Sequence, residues 1–169
     1  MFKVGDTILY TTYGVCTIKD LTTMFFNGAN NEYYVLVPIN ESKTELTIPV
    51  NNPIVTSRLH PLLSKAEIEG IIKNIPEIET YWIDNDNERK KEFSDKIKLG
   101  DRKNTISIIK SIKKHQLSLI GKNRKLHSVD EQVMRDAEKL IFEEFSYVLD
   151  KPRCELISKV DELIYDSIK

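Results

Sequence analysis

The sequence predicts an α+β fold in which a small β domain precedes an all-α domain of about five helices. Two observations carry this. Over the first ~55 residues, apolar side chains alternate between turn dipeptides, and from residue 64 they recur every three or four positions. The composition is that of a globular chain, with 40% hydrophobic and 30% charged residues among 169, which excludes a disordered protein.

The β elements follow in order. Residues 7–10 form a short apolar strand. Residues 14–21 (GVCTIKDL) alternate, with Val15, Thr17 and Lys19 on one face and Cys16, Ile18 and Asp20 on the other. Residues 24–26 run into Asn27-Gly28, a tight-turn signal. Residues 32–39 (EYYVLVPI) are β-branched and aromatic, residues 40–43 turn, and residues 45–50 (ELTIPV) make another strand. Asn51-Asn52-Pro53 turns the chain again before a last expected strand at 54–57. Five short strands in so few residues predict a closed or partly closed barrel, because a sheet of that size needs closure or a neighbour.

The helices come next. Ser64-Lys65-Ala66-Glu67 has capping-box spacing, followed by a stripe of Ile68, Ile71, Ile72 and Ile75 that Pro76 ends. Residues 84–99 form a charged amphipathic helix with Phe93 and Ile97 four apart, stopped at Gly100. Residues 104–119 carry Ile106, Ile109 and Ile112. Ser128-Val129-Asp130-Glu131 repeats the capping-box pattern before Val133, Ala137, Leu140, Ile141 and Val148. Pro152 opens a final helix with Leu156, Ile157, Val160, Leu163, Ile164 and Ile168 inside. The expected domains are residues 1–57 and 65–169, joined by 58–64 with Pro61.

Global charge is −1, but its distribution is uneven: −3 over residues 1–81, +7 over 82–128 and −5 over 129–169. A cationic middle predicts a local anion-binding face rather than diffuse attraction. Cys16 and Cys154 lie far apart with no CxxC, so reduced thiols and a cytoplasmic location are expected. The start MFKVGDTILY has no signal-peptide pattern, and no run approaches the ~18 apolar residues that cross a bilayer.

Trp82, the single tryptophan, stands at the edge of the basic region. Arg89, Lys90 and Lys91 follow it, then Lys110, Lys113 and Lys114, then the loop Lys122-Asn123-Arg124-Lys125. An apolar wedge beside cations suits nucleic acid: cations neutralise phosphates while an indole stacks on bases or enters a groove. The competing reading is a core tryptophan and solvated lysines, since buried aromatics are common.

The order and spacing of several short motifs resemble the CarD family of bacterial transcription regulators. They are Met1-Phe2-Lys3-Val4-Gly5-Asp6-Thr7, Tyr10, Gly14-Val15, Asn27-Gly28, Glu32-Tyr33-Tyr34-Val35-Leu36 and Thr47-Ile48-Pro49. Trp82, Arg89-Lys90, Leu99-Gly100-Asp101 and Ala137-Glu138-Lys139-Leu140 with Glu144 continue the likeness into the second half. The resemblance implies a Tudor-like (SH3-like) β-barrel that binds the RNA polymerase β subunit by strand addition. It also implies a helical domain whose tryptophan, here Trp82, wedges into the promoter minor groove and stabilises the open complex without base readout. Arg89 and Lys90 are the cations that match best. Where family members often present arginines to polymerase, this chain has Met24 and Thr47, leaving backbone pairing and apolar packing around Met24 and Phe26. Asp84-Asn85-Asp86-Asn87 lengthens the interval from Trp82 to Gly100 relative to some members, and Asp84 or Asp86 is expected at a helix N-terminus. A monomer is implied.

An enzyme is not expected. His60, His115 and His127 have no metal- or triad-like spacing, there is no GxGxxG or GxxxxGK[ST], and Glu143 and Glu144 are adjacent on a helix and so diverge. No cofactor, metal or membrane partner is expected. Three classes remain: a polymerase-binding regulator that touches promoter DNA, an interaction module whose helices bind no DNA, and a nucleic-acid binder without a polymerase contact.

Overall fold

Asn27 and Gly28 both take positive φ, 52° and 79°, the geometry of a two-residue hairpin turn. They join the two longest strands, β2 (Gly14–Phe26) and β3 (Ala29–Pro38). The computed structural model describes residues 1–169 and divides them into two compact units, Met1–Leu62 and Leu63–Lys169.

In the first unit β1 (Thr7–Tyr10) pairs with β2, β4 (Leu46–Pro49) with β3, and β5 (Leu59–Pro61) with β1. All pairs are antiparallel, in the order β4-β3-β2-β1-β5. The register sets Ile8 opposite Cys16, Ile18 opposite Leu36, and Tyr34 opposite Ile48. These residues and Leu59 form one buried cluster. The opening motif is a turn: Gly5 sits at φ 93°, Asp6 Oδ2 accepts from Lys3 N at 2.8 Å, and Gly5 N donates to Ile18 O at 2.8 Å.

Three expectations change here. The alternation of residues 14–21 stops at a bulge between Ile18 and Asp20: Val15 and Cys16 are both buried, and Lys19 and Asp20 both exposed. Residues 54–57 are not a strand. Pro53–Thr56 is a single helical turn, α1, because Asn52 Oδ1 caps Ile54 N at 3.0 Å and Pro53 supplies a helical φ. The fifth strand is instead β5, inside the segment expected to be a connection. With a helical turn in place of the closing strand, β4 and β5 stay at opposite edges, and the sheet is open rather than closed into a barrel.

The second unit has five helices, α2 (Lys65–Lys73), α3 (Asp86–Lys98), α4 (Arg102–Ile120), α5 (Ser128–Leu149) and α6 (Arg153–Ile168), plus a 3₁₀ turn at Ile75–Glu77. The capping box at Ser64 and Glu67 is present in both directions. α2 ends at Lys73, and Pro76 lies in the 3₁₀ turn. Asn85, between the two aspartates, caps α3 through Glu88 N at 3.0 Å. Gly100 at φ 77° ends it as expected. Ser128 is not a cap: α5 begins after His127 without a side-chain cap. Phe93, Ile97, Ile106, Ile109, Ile112, Val133, Ala137 and Val160 are buried in the interior.

Glu144 is fully buried and ties α4 to α5. Its carboxylate accepts from Arg102 Nε and Nη2, both at 2.8 Å, and from Leu63 N at 2.9 Å. Glu144→Ala leaves the Arg102 guanidinium without its bidentate partner. The unfolding free energy of the helical unit is expected to fall by about 3 kcal/mol in a urea titration, and a loss within error of zero would contradict this role.

Candidate functional site

One face of α4 holds an irregular segment against it. Ser107, Lys110, Ser111, Lys114, His115 and Ser118 recur at helical spacing. Ser107 Oγ donates to Glu79 O at 2.6 Å, and Tyr81 N donates to Ser111 Oγ at 3.1 Å. Lys110 Nζ donates to the carbonyls of Ile75, Pro76 and Ile78 at 2.8–3.0 Å, using all three of its protons. Burial lowers the Lys110 pKa, and the ammonium sits at the carbonyl end of the 3₁₀ turn, where Ile75 O also accepts from Ile78 N at 3.1 Å.

This strap delivers Trp82 to His115. The two rings stack with centroids 3.8 Å apart and planes 13° from parallel. Arg89 Cζ lies 4.2 Å from the indole centroid, and Phe93 meets the indole edgewise at 6.3 Å. Trp82 is half-buried, so part of its rim reaches solvent. It lines a cleft of about 350 Å³ together with Thr80, Tyr81, Ser111, Lys114, His115 and Ser118. Burial and then the Arg89 charge lower the His115 pKa, which keeps the stacked imidazole neutral near pH 7.

Arg89 is the hub of the site. Nε and Nη2 pair with the two Asp130 oxygens at 2.8 and 2.7 Å, and Nη2 also donates to Asp86 Oδ1 at 2.8 Å. Nη1 donates to Ile83 O at 2.7 Å and to Asp84 O at 3.4 Å. All five N–H donors are thereby used. Asp86 Oδ2 further lies 2.9 Å from His127 Nδ1. The Arg89 hydrogen bond, and then that of His127, hold the Asp86 pKa below the usual carboxylate range.

The basic residues singled out in the sequence therefore divide. Arg89, Lys110 and Lys113 are only 2%, 3% and 7% exposed. Lys113 is paired with Asp161 at 3.0 Å and Glu138 at 3.4 Å. These three are corrected from phosphate contacts to internal cations, because they are buried and their charges are met by protein oxygens. Lys90, Lys91, Lys114, Lys122, Arg124 and Lys125 are exposed, and Lys114 borders the Trp82 cleft. In the first unit Met24 and Phe26 lie at the far end of β2 and are 42% and 61% exposed, next to Phe25 at 74%. Thr47 is exposed on the edge strand β4.

Sequence reasoning missed His115, Asp130 and Phe25. His115 lies four residues after Ser111, a spacing that puts both on one face, but its stacking partner comes from another segment. Asp130 has in the sequence only the look of a capping residue, whereas it is buried and paired with Arg89.

Residues 2–60 match the family model described as the CarD-like/TRCF RID domain. No curated protein matches the chain. The match takes in β1 to β4, so the open five-stranded unit that exposes Met24, Phe26 and Thr47 is the part of the chain that is similar to CarD-like/TRCF RID domains.

Proposed function

We propose that this chain is a non-catalytic transcription regulator, acting as a monomer, that binds the RNA polymerase β subunit through its first unit and stabilises the promoter open complex through its second. The observation that carries the second half is Trp82, held on its ring face by His115 and Arg89 with its rim at a cleft beside Lys114. A ring fixed this way is preorganised to act as a wedge, since the cost of ordering it is met in folding. Exposed Lys90, Lys91, Lys114 and the 122–125 loop supply phosphate contacts that position without reading sequence. A wedge that favours unstacked DNA shifts the closed–open equilibrium only by its difference in affinity for the two states.

For the first unit we read a Tudor-like module that adds a polymerase strand to an edge, with Thr47 on β4 and the apolar Met24 and Phe26 packing beside it. Holding the helical unit near DNA through polymerase raises its local concentration, so a weak intrinsic DNA affinity suffices. A second reading, an interaction module whose helices bind no DNA, is favoured by the burial of Arg89, Lys110 and Lys113, which removes three cations from the surface.

The two readings separate on Trp82→Ala. Polymerase binding is expected to persist while the lifetime of the open promoter complex shortens about tenfold, or ~1.4 kcal/mol, toward the low end of what one base–aromatic stack contributes. An unchanged lifetime supports the second reading.

Salt dependence tests the division of cations. The triple variant Lys122→Ala, Arg124→Ala and Lys125→Ala is expected to lower the slope of log affinity against log salt by about 2 to 3 on duplex DNA. Arg89→Ala is expected to lower the melting temperature instead. A full slope change from Arg89→Ala in a folded protein contradicts its assignment as an internal cation.

His115 gives a pH signature. Its folded pKa lies below the ordinary value, so the unfolded chain binds the proton more readily. The stability it supports is present above about pH 6.5 and is lost as pH falls below that. Emission from Trp82, the single tryptophan, is expected to change over the same acidic range as imidazolium forms against it. His115→Phe should abolish most of that change, and a persisting titration removes His115 from the clamp.

A further inference from the structure

A second groove lies in the helical unit and shares no residue with the Trp82 cleft. Its floor is apolar: Ile72 of α2, Leu149 at the end of α5, and Leu156 and Leu163 of α6. Its volume is about 460 Å³. Its rim carries Lys73, Lys151 and Lys159 against the single carboxylate Glu69.

The charge of this rim runs against its surroundings. Residues 129–169 sum to −5, yet the groove they help form is edged by three lysines. Lys73 and Lys159 are exposed and make no salt bridge, and Lys151 has only a long contact of 3.8 Å to Glu155. Such cations gain nothing from neighbours within the chain. On α6 the lining residues Leu156 and Leu163 stand seven apart, a spacing that takes the i, i+3/i+4, i+7 ridge of a partner helix.

We propose that this groove docks an acidic amphipathic helix of a partner protein, with leucine-type side chains on the floor and Glu or Asp side chains against Lys73, Lys151 and Lys159. The proposal goes beyond the polymerase and promoter contacts and does not depend on them. Opposite charge across the rim speeds encounter and selects against basic helices, and the apolar floor gives the affinity.

The test uses the full chain and a fluorescein-labelled 16-residue helical peptide with Leu at i, i+3, i+7 and Glu on the flanking positions, followed by fluorescence anisotropy. Saturable binding is expected, weakening as salt rises. The double variant Lys73→Glu/Lys159→Glu, at exposed sites and checked for an unchanged thermal melt, should weaken it about tenfold. The same peptide with Lys in place of Glu should bind that variant better than the wild type. Trp82→Ala should leave peptide binding unchanged, so loss of the wedge and loss of the groove are distinguishable. Absence of saturable binding, indifference to the charge reversal, or binding of dodecanoate in place of the peptide each overturns the proposal, the last by assigning the groove to a small acyl anion.

Discussion

The Arg89 guanidinium is the constraint on which the helical unit depends. A buried cation with five donors must find oxygens for all of them, and it takes them from three separate places: Asp130 on α5, Asp86 at the start of α3, and the backbone of residues 83 and 84. The planar group also lies against the indole. One side chain therefore fixes the start of α3, the start of α5, the exit of the loop and the ring of Trp82. Lysine could not replace it, because a point charge on a flexible stem lacks the fork that spans both aspartates and both carbonyls.

The same burial changes the meaning of the charge pattern. The +7 of residues 82–128 counts Arg89, Lys110 and Lys113, whose charges are met internally, partly by acidic residues of the last two helices. The acidic C-terminal region and the basic middle are thus partly one interlocked set of pairs. What remains for a partner lies on α3's outer face, at Lys103 and Lys114 of α4, and on the 122–125 loop.

Most local signals were legible in the sequence and non-local ones were not, although the local capping pattern at Ser128 did not form a cap. The hairpin at Asn27-Gly28, the capping box at Ser64, the stop at Gly100 and the isoleucine stripes each depend on residues within one turn or strand, and each formed as read. The strand expected at 54–57 failed although its cue was present: Asn52-Pro53 is a helix start, and two β-branched residues could not outweigh it. The alternation after Ile18 failed because a bulge is set by the partner strand. At the site, Trp82 and its basic neighbourhood were visible as composition. Which cations were spent on carbonyls, and which histidine lay against the indole, depended on α4 and α5 folding back across the segment.

The strap of Lys110, Ser107 and Ser111 on one side, and the clamp of His115 and Arg89 on the other, bracket residues 78–84 at both ends. The indole is therefore located by the helix behind it, as a gemstone is by its setting, and Arg89 also holds the chain between Ile83 and α3 at the carbonyls of Ile83 and Asp84. Asp86, the first residue of α3, is tied to the same guanidinium that lies against the indole, so a change of length between Trp82 and α3 would disturb the ring. The loop and the wedge are then one mechanical unit, and α4's polar face is the surface on which both are seated.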